Sequence, residues 1–368
     1  MKHYKIFMLI MAGMLFAACG TDNDVSDESI FDTSVPPRTG FDQWLYENYT
    51  KPYNIRFNYR YIDSETDQTY NLIPADVEKA KALAIMVKHV WLDAYAEAAG
   101  ADFIKKYSPR VYQLIGSPEY NSNGSIVLGT AEGGMKVTLF RVNEIDIDNP
   151  IVDHDSSFPD TESTPIDLNY WFFHTMHHEF CHILTQQKNY STDFQQVSAA
   201  DYRTVDWVNV DDKDAPKYGF PSGYATKEYN EDFAELYSIY VTHTPEAWQG
   251  ILDAALIVTG SKTKTDAKGN PVYKLDAEGN RIPKGYIYDQ NGNRLVYQGE
   301  DGKFYYAMEY EVETEDTYDY TYYNKIVTKM NIIKEYFQSS WNIDLDELRD
   351  VVLRRSDEVK NLDLRTLK

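Results

Sequence analysis

Apolar positions change their spacing along the chain, and each change predicts a different element. Residues 54–63 alternate apolar and polar side chains, the period of a half-buried strand. Residues 74–100 repeat apolar side chains at helical spacing, and Pro74 suits the first turn of that helix. The stretches RVYQLIG, SIVLGTA and MKVTLFRV, between residues 110 and 142, predict two or three further strands.

Helical spacing returns twice in the middle of the chain. A loop at 143–166, rich in Asp, Pro and Ser, leads into a predicted helix at 169–185 with an apolar stripe through Phe173, Met176, Phe180 and Leu184. A second helix is predicted at 230–241, with acids in its first turn. From Tyr318 to the end the pattern is helical again, and Asp344 with Glu347 is spaced as a capping box.

Residues 263–306 have a different texture. DAKGNPVY, DAEGNRI and DQNGNRLVY each place Asp, Gly and Asn before an apolar or aromatic run, which predicts β-hairpins. Asp289, Asn291 and Asn293 alternate as calcium-loop ligands do, but the acid that ends such a loop is missing. Turns are therefore the prediction.

The amino-terminal residues predict export. Two lysines precede an apolar run from Ile6 to Phe16, too short to span a bilayer, so residues 1–18 are read as a signal peptide. FAAC resembles the lipobox of bacterial lipoproteins, which makes Cys19 the lipidated residue. Residues 19–40 form an acidic, Ser-rich tether whose start resembles export tags of surface lipoproteins, although a solvated linker stays open. We therefore predict an outer-membrane lipoprotein held by its lipid alone, facing the cell surface or the periplasm.

Composition further limits the class of protein and the partners it can bind. The 368 residues, 43% hydrophobic, can bury a sizeable core in two or three packed units. Lys plus Arg is 36 against 58 for Asp plus Glu, a net charge of -22 that argues against nucleic acid as a partner. With Cys19 lipidated, Cys181 has no partner in the chain, so no disulfide is expected.

HHEFCH, at residues 177–182, carries the candidate chemistry. On a helix His178 and His182 lie one turn apart on the same face and can bind one metal ion, while Glu179 can reach a metal-bound water. His174 with His178, and His177 with Cys181, have the same spacing, so spacing alone leaves the ligand pair open. Only the pair that flanks Glu179 also provides a base.

Hydrolytic zinc needs a third protein ligand and an open position. Glu231 opens the helix at 230–241, and Glu235 lies beneath it on the same polar stripe. Alone, this pattern is an ordinary acidic first turn. After HExxH, it makes Glu231 the candidate third ligand.

HEFCH followed by YATKEYNEDFAE resembles the glutamate zincins, with a spacing similar to the anthrax lethal factor type of metallopeptidase. The whole chain resembles the zinc-binding metallopeptidase lipoproteins, also described as substrate import-associated zinc metallohydrolases, encoded beside starch-utilisation-type outer-membrane importers. The resemblance implies an α+β zincin-like fold with a small mixed N-terminal sheet, an HExxH active-site helix, a second helix bearing the glutamate ligand and a C-terminal helical part.

The resemblance also implies roles for single residues. One zinc ion is expected on His178, His182 and Glu231, with Glu179 as general base. Tyr224 stands where related enzymes keep a tyrosine that hydrogen-bonds the developing oxyanion. Glu235 is expected to support a histidine or Glu231, and Cys181 is expected to be a buried filler.

The implied organisation is an N-terminal α+β part at 41–150, a zinc-binding catalytic part at 151–262, a β-hairpin insertion at 263–312 and C-terminal helices at 313–368. The expected activity is hydrolysis of peptide bonds in a peptide or protein, beside an outer-membrane nutrient importer. The alternative is a non-catalytic binding or accessory lipoprotein of a glycan or peptide uptake complex with a structural zinc site. A glycan-binding surface protein is a third possibility, but the aromatic residues, 14% of the chain, are spread in a way that favours core packing.

Overall fold

The computed structural model describes residues 38–66, 71–120, 126–127, 129–132, 135–161 and 164–367. The predicted signal peptide, Cys19 and most of the predicted tether lie outside these residues. The chain divides into two units, Met1–Asp42 and Gln43–Lys368. In the first, the Thr39 backbone N–H and hydroxyl donate to the Asp42 carboxylate. Among the helices described, none combines the length and the apolar character needed to cross a bilayer.

The described residues mix helices and strands, which confirms the predicted α+β class. The α-helices are Gly40–Leu45, Lys51–Tyr53, Val77–Val87, Asp93–Ala98, Ala101–Tyr107, Thr175–Gln187, Asp193–Val197, Tyr229–Thr242, Pro245–Ala254, Thr321–Tyr336 and Leu345–Glu358. In the part of the chain that the structure describes, four π-helical segments adjoin them, at Tyr46–Thr50, Lys88–Leu92, Asn169–His174 and Phe337–Trp341. The strands are Arg56–Asn58, Val111–Leu114, Glu119–Tyr120, Ile126–Val127, Gly129–Glu132, Lys136–Leu139, Ile257–Thr263, Pro283–Tyr286, Val296–Gln298, Phe304–Tyr306, Met308–Tyr310 and Thr314–Asp319.

A four-stranded mixed sheet forms the N-terminal layer, as predicted. Its order is Arg56–Asn58, Val111–Leu114, Lys136–Leu139 and Gly129–Glu132. The first three strands run parallel, and Gly129–Glu132 pairs antiparallel to its neighbour. This last strand lies beside the helix Thr175–Gln187, so the sheet edge borders the segment that carries HHEFCH.

The predicted helix start at Pro74 is wrong. The helix begins at Val77, because the Asp76 side chain accepts from the first-turn N–H groups of Glu78 and Lys79 at 2.9 and 3.1 Å. Pro74 instead forms an isolated β-bridge with Ile115.

Two helices carry the candidate chemistry. We call Thr175–Gln187 the histidine helix and Tyr229–Thr242 the glutamate helix. The π-helical turn Asn169–His174 runs directly into the histidine helix, an irregularity often found next to functional sites. The predicted apolar stripes of both helices are buried. Phe180 anchors the histidine helix, with its ring 5.0 Å from the ring of Trp91.

The C-terminal helices pack on the other side of the glutamate helix. Tyr237 stacks on Phe337 with ring centroids 4.3 Å apart. Lys329 is fully buried and donates to Asp232 at 2.6 Å, beside Glu231 in sequence. Asp344 caps the last α-helix through the N–H groups of Asp346 and Glu347, as predicted.

Residues 257–319 form a two-stranded β structure, which we call the arm. Its paired residues extend on both sides of the predicted hairpin pattern at 263–306. Each predicted Asp-Gly-Asn turn is present, with Gly269, Gly279 and Gly292 at φ near +84 to +85°. That backbone conformation strains most L side chains, which explains the repeated glycine.

The buried pair of Lys329 and Asp232 generates a stability prediction. Lys329→Met leaves a buried carboxylate without its cation, and we expect a loss of about 3–5 kcal/mol in the free energy of unfolding. Lys325→Met is the matched control, because its partner Asp201 is about a quarter exposed and such pairs contribute about 0–1 kcal/mol. Chemical denaturation measures both. Equal losses in the two variants would contradict the prediction.

Candidate metal centre

The histidine helix brings two imidazoles together, as its spacing predicts. The Nε2 atoms of His178 and His182 lie 3.1 Å apart, one turn from each other on the same face. Their rings meet edge to face, with centroids 4.8 Å apart. Both ring nitrogens therefore point to one region beside the helix.

The first turn of the glutamate helix supplies a carboxylate to the same region. Glu231 Oε2 lies 3.3 Å from His178 Nε2 and 3.1 Å from His182 Nε2. Two atoms bound to one tetrahedral zinc ion at about 2.0–2.1 Å are about 3.3 Å apart. The three donor atoms form a triangle with nearly these edges, so they fit one face of a zinc coordination tetrahedron.

A second group of possible metal-binding residues shares His178. It consists of His174, His178 and Glu235. Glu235 Oε1 lies 2.9 Å from His174 Nε2 and 2.8 Å from His178 Nδ1. His178 therefore faces Glu235 with Nδ1 and Glu231 with Nε2.

Exposure separates the two groups. The side chain of His182 is 20% exposed, whereas those of His174 and Glu235 are 5% and 6% exposed. The group with Glu231 can thus admit water or substrate. A buried carboxylate against the second nitrogen of a histidine is the usual means of fixing that ring for a metal. Glu235 fits this supporting position, and Ser222 Oγ donates to its other oxygen at 2.5 Å.

His177 and Cys181, a further pair with ligand spacing in the sequence, face the core. His177 Nδ1 contacts the Tyr95 hydroxyl at 2.9 Å, and burial lowers the pKa of His177 to about 3, so the ring is neutral. Cys181 is a fully buried free thiol, as predicted, and burial raises its pKa. Neither residue belongs to a possible metal-binding group in the described part of the chain.

Attraction between the histidines and the two glutamate carboxylates stabilises both groups of possible metal-binding residues. Burial opposes the charged form of His178, but hydrogen bonds with Glu231 and Glu235 raise its pKa to about 10. Burial also opposes ionisation of Glu231, but His178 and His182 hold its pKa far below the usual range. The pKa of Glu235 is likewise lowered, against burial, by His174 and His178. The site therefore concentrates negative charge where a cation would be bound.

Tyr224 lies at the same carboxylate. Its hydroxyl donates to Glu231 Oε1 at 2.8 Å, and its ring is 5.8 Å from the ring of His178. Burial and the negative charge of Glu231 raise the pKa of Tyr224 well above 10, so the hydroxyl keeps its proton. The structure therefore brings the predicted tyrosine beside the donor triangle.

Glu179 is a buried residue of the histidine helix, with 8% of its surface exposed. Its negative charge acts on both His178 and Tyr224, raising the pKa of each. Glu179 thus follows the proposed ligand His178 directly on the histidine helix.

Lys227 is a residue of the site that the sequence did not predict. Its ammonium donates to Glu231 Oε1 at 2.8 Å and to the Tyr224 hydroxyl at 3.1 Å. The available signal was its spacing, three residues after Tyr224 and four before Glu231. Lys227 fixes the carboxylate oxygen that does not face the histidines.

Comparisons with known proteins agree with this chemistry. A family model described as "Putative zinc-binding metallo-peptidase" matches residues 35–346. A crystal structure described as a "putative zinc-binding metallo-peptidase" from Bacteroides caccae ATCC 43185 is 33% identical in sequence, with a TM-score of 0.60. That similarity covers 92% of this chain and 100% of the other. No curated protein matches the chain.

The donor triangle predicts which substitutions abolish zinc binding. We expect His182→Ala and Glu231→Gln to lose bound zinc, because each removes one of three ligands. His177→Gln should retain it, since that ring faces Tyr95. Zinc per chain, measured by plasma mass spectrometry after dialysis, decides between them. Retention of zinc by Glu231→Gln, with loss in His174→Ala, would favour the second group instead.

Proposed function

This chain belongs to the zinc-binding metallo-peptidase family, and from that premise we propose that it is a peptidase acting through His178, His182 and Glu231 as zinc ligands. Membership confirms the resemblance inferred from sequence and establishes zinc as the cofactor. The observation that carries the proposal is the triangle of donor atoms, with Tyr224 hydrogen-bonded to the same Glu231 carboxylate and His182 partly exposed.

Zinc at this position would acidify a coordinated water and polarise the carbonyl of a scissile peptide bond. In the proposal, Glu179 takes the proton of the attacking water and delivers it to the leaving nitrogen. Tyr224 keeps its proton at neutral pH. In the proposal its hydroxyl gives up the hydrogen bond to Glu231 Oε1, which keeps the Lys227 ammonium, and donates instead to the oxygen that gains negative charge. Lys227 holds Glu231 Oε1, so that Oε2 stays directed at the two histidines.

The supporting residues restrict motion of the proposed ligands. Glu235 fixes the His178 ring through Nδ1, and His174 and Ser222 fix Glu235 in turn. Outer residues of this kind commonly change metal affinity or activity by about 10–100-fold when removed.

We further propose that the fold is zincin-like. Support comes from the antiparallel sheet edge beside the histidine helix and from the second helix that provides the acid. We also propose the division predicted from the sequence: an N-terminal α+β part at 41–150, a catalytic part at 151–262, a β-hairpin insertion at 263–312 and C-terminal helices at 313–368.

The cellular setting rests on sequence. We propose an outer-membrane lipoprotein beside a nutrient importer, supported by the lipobox-like FAAC, the acidic tether and the resemblance to importer-associated lipoproteins.

Substitution of the proposed base and oxyanion donor tests the activity. We expect Glu179→Gln to retain one zinc and lose hydrolysis of a proteome-derived peptide library. Tyr224→Phe should retain zinc and lower kcat about 100- to 1,000-fold with a small change in KM, because its hydroxyl acts on the transition state. Glu246→Gln, an exposed acid on a neighbouring helix, is the control. Zinc-loaded wild type that cleaves no peptide would instead support the accessory-lipoprotein alternative.

Lipidation generates a separate prediction. We expect Cys19→Ser to move the protein from the membrane fraction to the soluble fraction on cell fractionation, because the proposed anchor is the lipid alone. Unchanged membrane association of this variant would contradict the proposed anchor.

A further inference from the structure

We propose that residues 203–212, which we call the site loop, form an apolar subsite that selects peptides with a hydrophobic side chain next to the cleaved bond. The inference rests on the proposed peptidase function and adds its substrate class. It is carried by the exposed apolar residues of the loop and by the contacts that fasten the loop to the candidate centre.

The site loop presents apolar side chains to solvent. Val205 is 92% exposed and Val208 is 39% exposed, and Trp207 between them is half-buried. Two exposed valines next to a half-buried tryptophan give the loop an apolar surface that a hydrophobic ligand group could cover. Ligand sites commonly combine such apolar walls with a few converging polar groups.

Contacts fix this apolar surface beside the proposed catalytic residues. The ring of Trp207 lies 5.0 Å from the ring of Tyr224, in an edge-to-face arrangement. Tyr224 in turn donates to Glu231, a proposed zinc ligand. The Arg203 N–H donates to the Thr226 carbonyl at 2.6 Å, which ties the start of the loop to the same segment.

The C-terminal end of the site loop is also hydrogen-bonded to the segment that precedes Tyr224. Asp212 accepts a hydrogen bond from the Gly223 N–H at 2.8 Å. A Cβ at residue 223 would overlap the carbonyl oxygen of Val210, so only glycine lets the two segments approach this closely. The loop is therefore preorganised, and binding need not order it first.

Turn bonds within the loop maintain its shape. The Asn209 N–H donates to the Asp206 carbonyl at 3.1 Å, and the Val210 N–H donates to the Trp207 carbonyl at 3.0 Å. These bonds hold residues 206–210 in a compact turn with Val205 and Val208 at the surface. Because Trp207 lies against Tyr224, the proposal places this surface where a side chain near the scissile bond of a bound peptide would reach it. A leucine or phenylalanine at that peptide position would cover the two valine side chains, whereas a serine would leave them exposed to solvent.

Binding to a non-hydrolysing protein tests the subsite. Fluorescently labelled peptide pairs that differ only in Leu or Ser at one position are titrated against full-length, zinc-loaded Glu179→Gln. We expect roughly tenfold or greater preference for the leucine peptide at the position next to the cleaved bond. Val205→Ser with Val208→Ser should reduce that preference to about threefold or less. Val296→Ser, an exposed valine of the arm at 52%, should leave it unchanged.

Trp207 provides a second variant series. Trp207→Ala should reduce the preference for leucine, and Trp207→Phe should restore much of it, because the phenyl ring retains apolar area against Tyr224. Equal zinc content and equal thermal stability across the variants exclude simple misfolding as the cause.

Cleavage by the wild-type protein separates the two proposals. A leucine preference that persists in the valine double variant, or no preference in the Glu179→Gln protein, would overturn the subsite even if both peptides are cleaved. A preference in binding that disappears in the double variant, without cleavage by wild type, would support the subsite and overturn the peptidase proposal.

Discussion

The approach of the Glu231 carboxylate to two imidazoles on a different helix is the contact on which the proposed centre depends. Three polar groups converge within hydrogen-bond distance in a largely buried region, an arrangement that is costly unless charge is compensated. The two helices must therefore be held rigidly. Phe180 anchors one helix in the core, and Tyr237 and Asp232 anchor the other against the C-terminal helices.

The histidine helix divides its residues between two environments. Phe180, Cys181 and the neutral His177 enter the core, where a charged ring would be strongly disfavoured. His178 and His182 project on the other side, toward carboxylates that favour the presence of positive charge. The partners of each ring therefore distinguish the histidines of this helix: His177 contacts the Tyr95 hydroxyl, whereas His178 and His182 face carboxylates.

Much of this could be read from sequence because it is local. Helical periodicity gives the two helices, and the four-residue step together with the enclosed Glu179 selects His178 and His182. Glu231 became the candidate third ligand because it opens a helix after HExxH, and the resemblance supported that choice. Nothing local shows that this acid, and no other, approaches the histidines. Lys227 went unnoticed although its spacing to Tyr224 and Glu231 was available as a signal. Ser222 was not predicted because a serine outside a motif carries no signal. The predicted helix start at Pro74 is wrong because the side chain of Asp76 caps the helix, which therefore begins at Val77. The site loop has no periodicity, and its importance follows from tertiary contacts with Tyr224 and Gly223.

Anomalous diffraction on both sides of the zinc absorption edge tests the central claim most directly. The proposed arrangement predicts a single zinc peak about 2.0–2.1 Å from His178 Nε2, His182 Nε2 and an oxygen of Glu231. A zinc peak between His174 and Glu235, or one with Glu231 turned away from the metal, would contradict it.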